Sequence, residues 1–298
     1  MKEKFLPKIN GPIRQIGPRR FDFSRQVAVM GIVNRTPNSF HDRGATFDLR
    51  AAIESVERVA EEGGDILDVG GFAFRHDQEP VSVAEELERV VPLIGEASER
   101  TDLAISVDTH RAEVAREVMR AGAHIINDTN GLRDPQMAEV IAETGAHVVI
   151  AHSLGGPGKA VMRPSYNDVV KDVGDFLRRQ SILALNAGIP EDHIIIDPGH
   201  DLNKNTHHSL ELTRRLTEIT EIGFPTLVAV SNKDFIGETV DSPQDDRLIG
   251  TITTNTVCMW LGARIIRVHD VRSNAIAARY VESELGFRRP DKAIHNLA

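Results

Sequence analysis

The chain predicts an α/β fold, a closed (β/α)8 or TIM barrel in a single domain, and three observations carry that expectation. Eight short apolar runs recur, at residues 27–33, 66–69, 103–107, 125–126, 148–150, 194–196, 226–230 and 265–268. Between successive runs lie stretches with helical period, such as 51–62 and 112–120. Each run also ends in a polar or glycine-containing loop. Strands that alternate with helices and are apolar throughout suit a parallel sheet covered on both faces, and eight such units close into a barrel. In that fold the loops at the C-terminal ends of the strands build the active site.

Taken in order, the elements begin with an arm. Residues 1–22 hold Pro7, Gly11, Pro12, Gly17 and Pro18 among basic residues and read as an N-terminal arm, with the barrel occupying 23–298. The first strand ends at Asn34, the second at Gly70-Gly71 and the third at Asp108. The fourth ends at Asn127-Asp128, the fifth at His152 and the sixth at Asp197. The seventh runs into Ser231-Asn232-Lys233, and the eighth carries Arg267 and His269 at its end. Gly64, Gly122, Gly145, Gly223 and Gly262 each follow a helical run and precede a strand, where a residue with positive φ closes a helix. No second shift in composition appears until the tail after Gly286, and no low-complexity tract interrupts the chain.

At 298 residues the chain exceeds the ~250 typical of such a barrel by about the length of the arm. Its 41% hydrophobic and 27% charged residues are ordinary globular composition. A net charge of −9 argues against a nucleic-acid or anionic-membrane partner, which would not attract an acidic protein at long range. A small anionic ligand stays compatible, because a few inward-pointing cations can dominate a cleft. Cys258 is the sole cysteine, so no internal disulfide forms, and its helical context suits core packing. Residues 1–12 are basic but lack an apolar signal region, and no run approaches the ~18 residues of a membrane span. The expectation is a cytoplasmic chain.

The strand ends carry the chemistry. An Asp after a strand is often only a helix N-cap. Asp108, Asn127 and Asp197, converging on one barrel mouth, also suit the edge of a flat, N–H-rich heterocycle such as an aminopyrimidine. An uncompensated buried carboxylate is costly, so the ring itself would supply the missing partners. Arg267 and His269 alternate across Val268, and period-two geometry turns both to one face. Joined by Lys233, they suit a phosphate or pyrophosphate group, the alternative being a solvated salt-bridge network with Asp270 or Glu238. Asn34 offers an amide oxygen to a hard cation such as Mg²⁺, whose other ligands would be phosphate oxygens. His152 reads as a hydrogen-bonded histidine at a strand end.

These residues stand in motifs that carry a resemblance. Met-Gly-Ile-Val-Asn-Arg-Thr-Pro-Asn-Ser-Phe (30–40), Ile-Ser-Val-Asp-Thr (105–109), Ile-Ile-Asn-Asp (125–128), Asp-Pro-Gly (197–199), Ser-Asn-Lys-Asp-Phe-Ile-Gly (231–237) and Arg-Val-His-Asp-Val (267–271) keep their order and strand-end positions. Over residues 27 to 287 the chain resembles the dihydropteroate synthase family. The resemblance implies a (β/α)8 barrel that joins a pterin, carried as its pyrophosphate ester, to p-aminobenzoate with release of pyrophosphate. It implies that Asp108, Asn127, Asp197 and Lys233 hold the pterin, that Arg267, His269 and Asn34 hold the pyrophosphate, and that Mg²⁺ sits beside Asn34. It also implies a homodimer through the late helices, to which residues 257–261 would offer apolar surface.

Four departures from the family pattern fall on the second-substrate side. The first loop has Asn38 where the family has Asp in Thr-Pro-Asp-Ser-Phe. The second replaces Gly-Gly-Glu-Ser-Thr-Arg-Pro-Gly by a stretch (70–77) that keeps the glycines and Arg75 but inserts Phe72 and Phe74. Ser-Arg-Lys-Ser becomes Ser231-Asn232-Lys233-Asp234, which removes a planar cation and sets a carboxylate against that of p-aminobenzoate. His200 and Asp201 replace a small, apolar pair. The leading expectation is a dihydropteroate synthase-type transferase of folate synthesis with weakened or lost turnover. The alternatives are a non-catalytic pterin-binding paralogue and a folate-dependent methyltransferase of the wider pterin-binding group. Lys233, Arg267 and His269 favour a phosphorylated ligand and count against the methyltransferase.

Overall fold

The apolar runs form eight parallel strands, β3 (Ala28–Asn34), β4 (Ile66–Gly70), β5 (Ala104–Asp108), β6 (Ile125–Asp128), β7 (His147–Ala151), β8 (Ile194–Asp197), β9 (Leu227–Val228) and β10 (Ile265–Val268). They are preceded by a two-stranded antiparallel hairpin of β1 (Ile13–Ile16) and β2 (Arg19–Asp22). The computed structural model describes residues 5–36, 48–72, 81–155 and 161–296. Hydrogen-bonded neighbours run β8-β7-β6-β5-β4-β3-β10-β9, and an isolated parallel bridge between Ile196 and Thr226 joins the two ends into a ring. The fold is the predicted (β/α)8 barrel. The seventh strand is shorter than the expected 226–230: Thr226 makes only an isolated bridge to Ile196, and pairing with β10 ends after Val228.

Helices cover the ring: α1 (Leu49–Glu61), α2 (Val83–Arg100), α3 (Ala112–Arg120), α4 (Met137–Thr144), α5 (Val169–Asn186), α6 (Thr206–Arg214), α7 (Thr217–Thr220), α8 (Asp234–Val240), α9 (Leu248–Trp260) and α10 (Val271–Glu284). Their starts are written locally: Asp48, Asp168 and Asp270 each accept backbone N–H groups in the first turn of α1, α5 and α10. Of the expected helix-closing glycines, Gly122, Gly145, Gly223 and Gly262 take positive φ, whereas Gly63 rather than Gly64 does so after α1.

Alternation along the strands separates two cores. Leu67, Val69, Ile105, Val107, Ile126 and Val148 pack outward against the helices. Met30, Ile66, Ala104, Ile125, Val149, Ile195 and Ile265 fill the barrel from within. The hairpin completes this inner core, because Ile16, Phe21 and Phe23 are buried against the same residues and the two rings stack 5.4 Å apart. Burying each Phe is worth roughly 1.5–3 kcal/mol, so the arm expected at 1–22 carries a plug that the sequence reading did not foresee. Asp65 fastens it: its carboxylate accepts from Val29 N at 2.9 Å, from Arg279 on α10 at 3.0 Å and from Arg19 of the hairpin at 3.4 Å. With apolar residues and the hairpin at one end, the polar residues of the barrel interior gather at the other. Cys258 is buried, as expected of a packing residue.

Candidate active site

The site grows from inward positions near the C-terminal strand ends. On β4 the position after Ile66 that faces inward is Asp68, wholly buried. Its Oδ2 accepts from Arg267 Nε at 2.6 Å and from Asn127 Nδ2 at 3.2 Å. Nη2 of the same guanidinium donates to Asp108 Oδ2 at 3.1 Å. Four residues from β4, β5, β6 and β10 thus share one hydrogen-bonded network, two carboxylates to one guanidinium. Burial pushes the Asp108 carboxyl up to about 7, with Arg267 pulling it down and Asp68 pushing it further up. Arg267 therefore does not join the alternative network with Asp270 or Glu238: Asp270 is the N-cap of α10, and its side chain accepts from Ser273 N at 2.8 Å.

The loop after β5 is held from behind. Glu86 of α2 accepts from Thr109 Oγ1 at 2.7 Å and pairs with Arg111 at 2.9 Å, and burial raises its carboxyl above the ordinary range. Asp128, beside Asn127, turns away from the mouth to accept Asn130 N at 2.8 Å and Leu132 N at 2.7 Å. It shapes its own loop.

Asp197 closes β8 and is 4% exposed, and burial raises its carboxyl despite the opposing charge of Lys233. Its Oδ1 accepts Gly199 N at 2.7 Å. Gly199 has φ of +67°, and a Cβ there would stand 2.0 Å from the carbonyl oxygen of His152, so only glycine fits the turn. Beneath it Lys204, almost fully buried, donates to the carbonyls of Gly199 at 2.8 Å and Leu202 at 3.1 Å and to Nδ1 of His152 at 2.9 Å. Burial and that ammonium push the His152 imidazole down to about 2, so the ring is a neutral acceptor that ties two loops together. Lys204 went unnoticed in the sequence because its role depends on a loop that folds back over it.

Strands β9 and β10 meet at their ends through Ser231 and His269. The Ser231 hydroxyl accepts His269 N at 3.2 Å and lies 3.0 Å from its Nδ1. Lys233 donates from Nζ to the carbonyl of His200. Asn34 ends β3, and a Cβ on Gly70 would lie 2.4 Å from its Oδ1, so this amide packs directly over the second strand end.

The structure therefore sets Asn34, Asp108, Asn127, Asp197, Lys233, Arg267 and His269 at one end of the barrel. Asn38, Phe74 and Arg75 lie outside the described residues. Two of the four departures read differently in three dimensions. Asn232, with φ of +57°, turns to α9, where its N–H donates to Thr251 Oγ1 at 3.1 Å. Asp234 does not stand as a bare carboxylate, because Arg247 pairs with it at 2.9 Å. His200 is buried against Thr213 Oγ1 at 3.2 Å, and Asp201 accepts Asp234 N at 2.8 Å, capping α8. The His200-Asp201 pair thus serves the wall behind the pocket. Asp68 was missed as well; a carboxylate inside an otherwise apolar run, on a strand covered on both sides, was the available signal.

Residues 30–269 match the description of the pterin binding enzymes. The chain is 43% identical over 276 residues to "Inactive dihydropteroate synthase 2" of Mycobacterium leprae, covering 91% of this chain and 94% of the relative. It is 39% identical over 260 residues to the dihydropteroate synthase of Escherichia coli, covering 87% and 92%. Among solved structures, the Xanthomonas albilineans dihydropteroate synthase with 4-aminobenzoic acid superposes with a TM-score of 0.85 at 36% identity, over 92% of this chain and 98% of the other.

Proposed function

Because the chain belongs to the pterin-binding enzyme family and is dihydropteroate synthase-like, we propose that its barrel mouth binds a reduced pterin as its pyrophosphate ester and presents it to an arylamine. The observation that carries this reading is the convergence of Asp68, Asp108, Asn127 and Arg267 from four strands into one buried, hydrogen-bonded set. Asp108, Asn127, Asp197 and Lys233 would line the pterin edge, where carboxylates accept ring N–H groups and Asn127 offers its amide. Arg267 and His269 would face the pyrophosphate.

The chemistry asks for charge stabilisation more than for a base. The C–O bond to pyrophosphate breaks, the pterin methylene becomes cationic, the amine nitrogen forms the C–N bond, and its proton leaves to solvent. Cations aimed at the departing oxygens lower that barrier. A magnesium ion would enter with the pyrophosphate, beside Asn34. Among the described residues no group of three His, Cys, Asp or Glu forms a cage, and the Asn34 amide supplies one neutral oxygen. When bound, such an ion would neutralise leaving-group charge.

The second-substrate side distinguishes this chain from an efficient synthase. Asn232 and Asp234 replace a cation and a hydroxyl at the rim, in line with a relative named inactive. We assign the chain tight pterin pyrophosphate binding and slow transfer to p-aminobenzoate. Calorimetry with the pterin pyrophosphate, with and without Mg²⁺, followed by a product assay with p-aminobenzoate, tests both halves; no binding in either condition would sink the reading.

We further propose a homodimer through α9 and α10. Ile249, Val257 and Trp260 follow helical spacing on α9 and are 77%, 41% and 49% exposed, and Ile276 and Tyr280 on α10 extend the stripe. The unit is one barrel, 23–298, with residues 1–22 as its arm. Its acidic surface and a single buried thiol suit the cytoplasm. No helix among the described residues is long and apolar enough to cross a membrane.

A further inference from the structure

The two carboxylates that share Arg267 differ in setting. The Asp68 side chain is 0% exposed and that of Asp108 is 20% exposed. Asp68 holds the guanidinium at Nε and holds Asn127 by its amide nitrogen, both through Oδ2. Its Oδ1 is buried and has no hydrogen-bond partner among the described residues, an acceptor placed for a donor that reaches this depth. Asp108 holds the guanidinium through Nη2. Arg267 is thus tied at Nε to a group locked in the strand layer, and at Nη2 to a group that a ligand can reach.

We propose that Asp68 is a positioning residue that pins Arg267 and orients Asn127, leaving the Arg267–Asp108 contact as a releasable latch through which pterin and pyrophosphate favour each other's binding. The proposal rests on the pterin pyrophosphate reading above. One Asn127 N–H is given to Asp68, which fixes the orientation of the amide and turns its oxygen, an acceptor, to a ring N–H. Asp108 Oδ2 is occupied by Arg267 until ring N–H groups compete for it, and Arg267 Nη2 is occupied by Asp108 until an anion competes for it. A ligand that takes Asp108 Oδ2 or Arg267 Nη2 weakens the same ion pair. The second to arrive meets a partner already released, which is a coupling free energy and must act equally in both directions. Asp68 keeps the released guanidinium from turning away, so its planar fork stays aligned for the anion.

The experiment titrates inorganic pyrophosphate into the full-length protein at fixed Mg²⁺, with and without a saturating hydroxymethyl pterin that carries no phosphate. In the parent the pterin should tighten pyrophosphate by about fivefold or more, and pyrophosphate should tighten the pterin by the same factor. In Asp108→Asn, pyrophosphate alone should bind more tightly than to the parent, and the coupling factor should fall to about one. In Asp68→Asn, with a parent-like circular dichroism spectrum, pyrophosphate should weaken although Arg267 is intact. If both ligands bind the parent independently, the latch is wrong; if folded Asp68→Asn binds pyrophosphate as the parent does, the pin is wrong. Should Asp68→Asn fail to fold, the coupling in the parent and its loss in Asp108→Asn still decide. A parent that binds neither the separate ligands nor the pterin pyrophosphate overturns the underlying reading, whereas binding without coupling overturns only this one.

Discussion

Arg247 reaches back from the turn before α9 to the first turn of α8, placing Nη1 2.9 Å from Asp234 Oδ1 and 2.9 Å from the carbonyl oxygen of Asn232. Its guanidinium lies so close over Gly237 that a Cβ there would come within 2.5 Å of it. The carboxylate that departs from the family pattern thus has a counter-ion from a different segment, and the planar cation missing at position 232 has a neighbour 15 residues later.

The first prediction follows from that pair. Asp234 is 67% exposed, so its effect on a nearby carboxylate is screened and small. Arg247→Met should unmask it and raise the KM for p-aminobenzoate, or its binding constant if turnover is too slow, by about fivefold, while an uncharged arylamine changes little. Asp234→Ser should shift p-aminobenzoate the other way by a similar factor. Parallel shifts for both amines would show that Arg247 and Asp234 shape the loop rather than its charge.

Asp197→Ala should abolish measurable pterin binding, since charged hydrogen bonds from a buried carboxylate contribute ~1.5–3 kcal/mol each. Glu99→Ala, on the exposed side of α2, is the control and should bind as the parent does. Calorimetry on the two variants separates pocket from surface; equal affinity in both would remove Asp197 from the pocket.

Arg267→Met tests what the guanidinium does for the fold. It strands Asp68, 0% exposed, without its cation, and breaking a buried pair in this way costs about 3–5 kcal/mol. Urea unfolding should show that loss, and Arg267→Met combined with Asp68→Leu should recover much of it. A single variant as stable as the parent would mean that water already compensates Asp68.

The fourth prediction concerns acid. Burial holds the His200 imidazole down at about 3, against about 6.5 in the unfolded chain. As pH falls below about 6.5 the unfolded chain takes a proton that the folded one refuses, so stability drops by ~1.4 kcal/mol per pH unit until the folded value is reached. His200→Phe removes that drain. Relative to the parent, the variant should gain roughly 2 kcal/mol between pH 6.5 and 5, read as a shift in the urea midpoint at each pH. A pH-independent difference would show that His200 titrates in the fold as it does in the unfolded chain.

Much of this was legible in the residues. Runs such as 103–107 and 265–268 are apolar because parallel strands are covered on both faces, and the barrel follows from their number. The alternation across Val268 put Arg267 on the inner face, where it meets Asp68 and Asp108. Asp68 escaped because one charge within an apolar run does not disturb the pattern that identifies a strand. The hairpin escaped because Arg14, Arg19 and Arg20 interrupt the apolar positions Ile16 and Phe21, and Arg14 proves to be buried, donating to the carbonyl of Ile194 at 2.7 Å. The setting of Asp234 was out of reach, since Arg247 comes to it across a helix and a turn that no spacing rule links.

The ring of strands is not uniform. Between β8 and β9 it is held by a bridge at Ile196 and Thr226, and β9 pairs with β10 at two residues, whereas the seams β3–β4 and β4–β5 carry five each. That thin seam stands directly beside the segment bearing Ser231, Lys233 and Asp234. A cylinder with one lightly stitched stave can tilt its lip there while the wall of β3, β4 and β5, with Asp68 and Asp108, stays still. Slow hydrogen exchange should run around the ring and break off at β9, so that the lip bearing Ser231, Lys233 and Asp234 breathes while the wall bearing Asp68 and Asp108 keeps its shape.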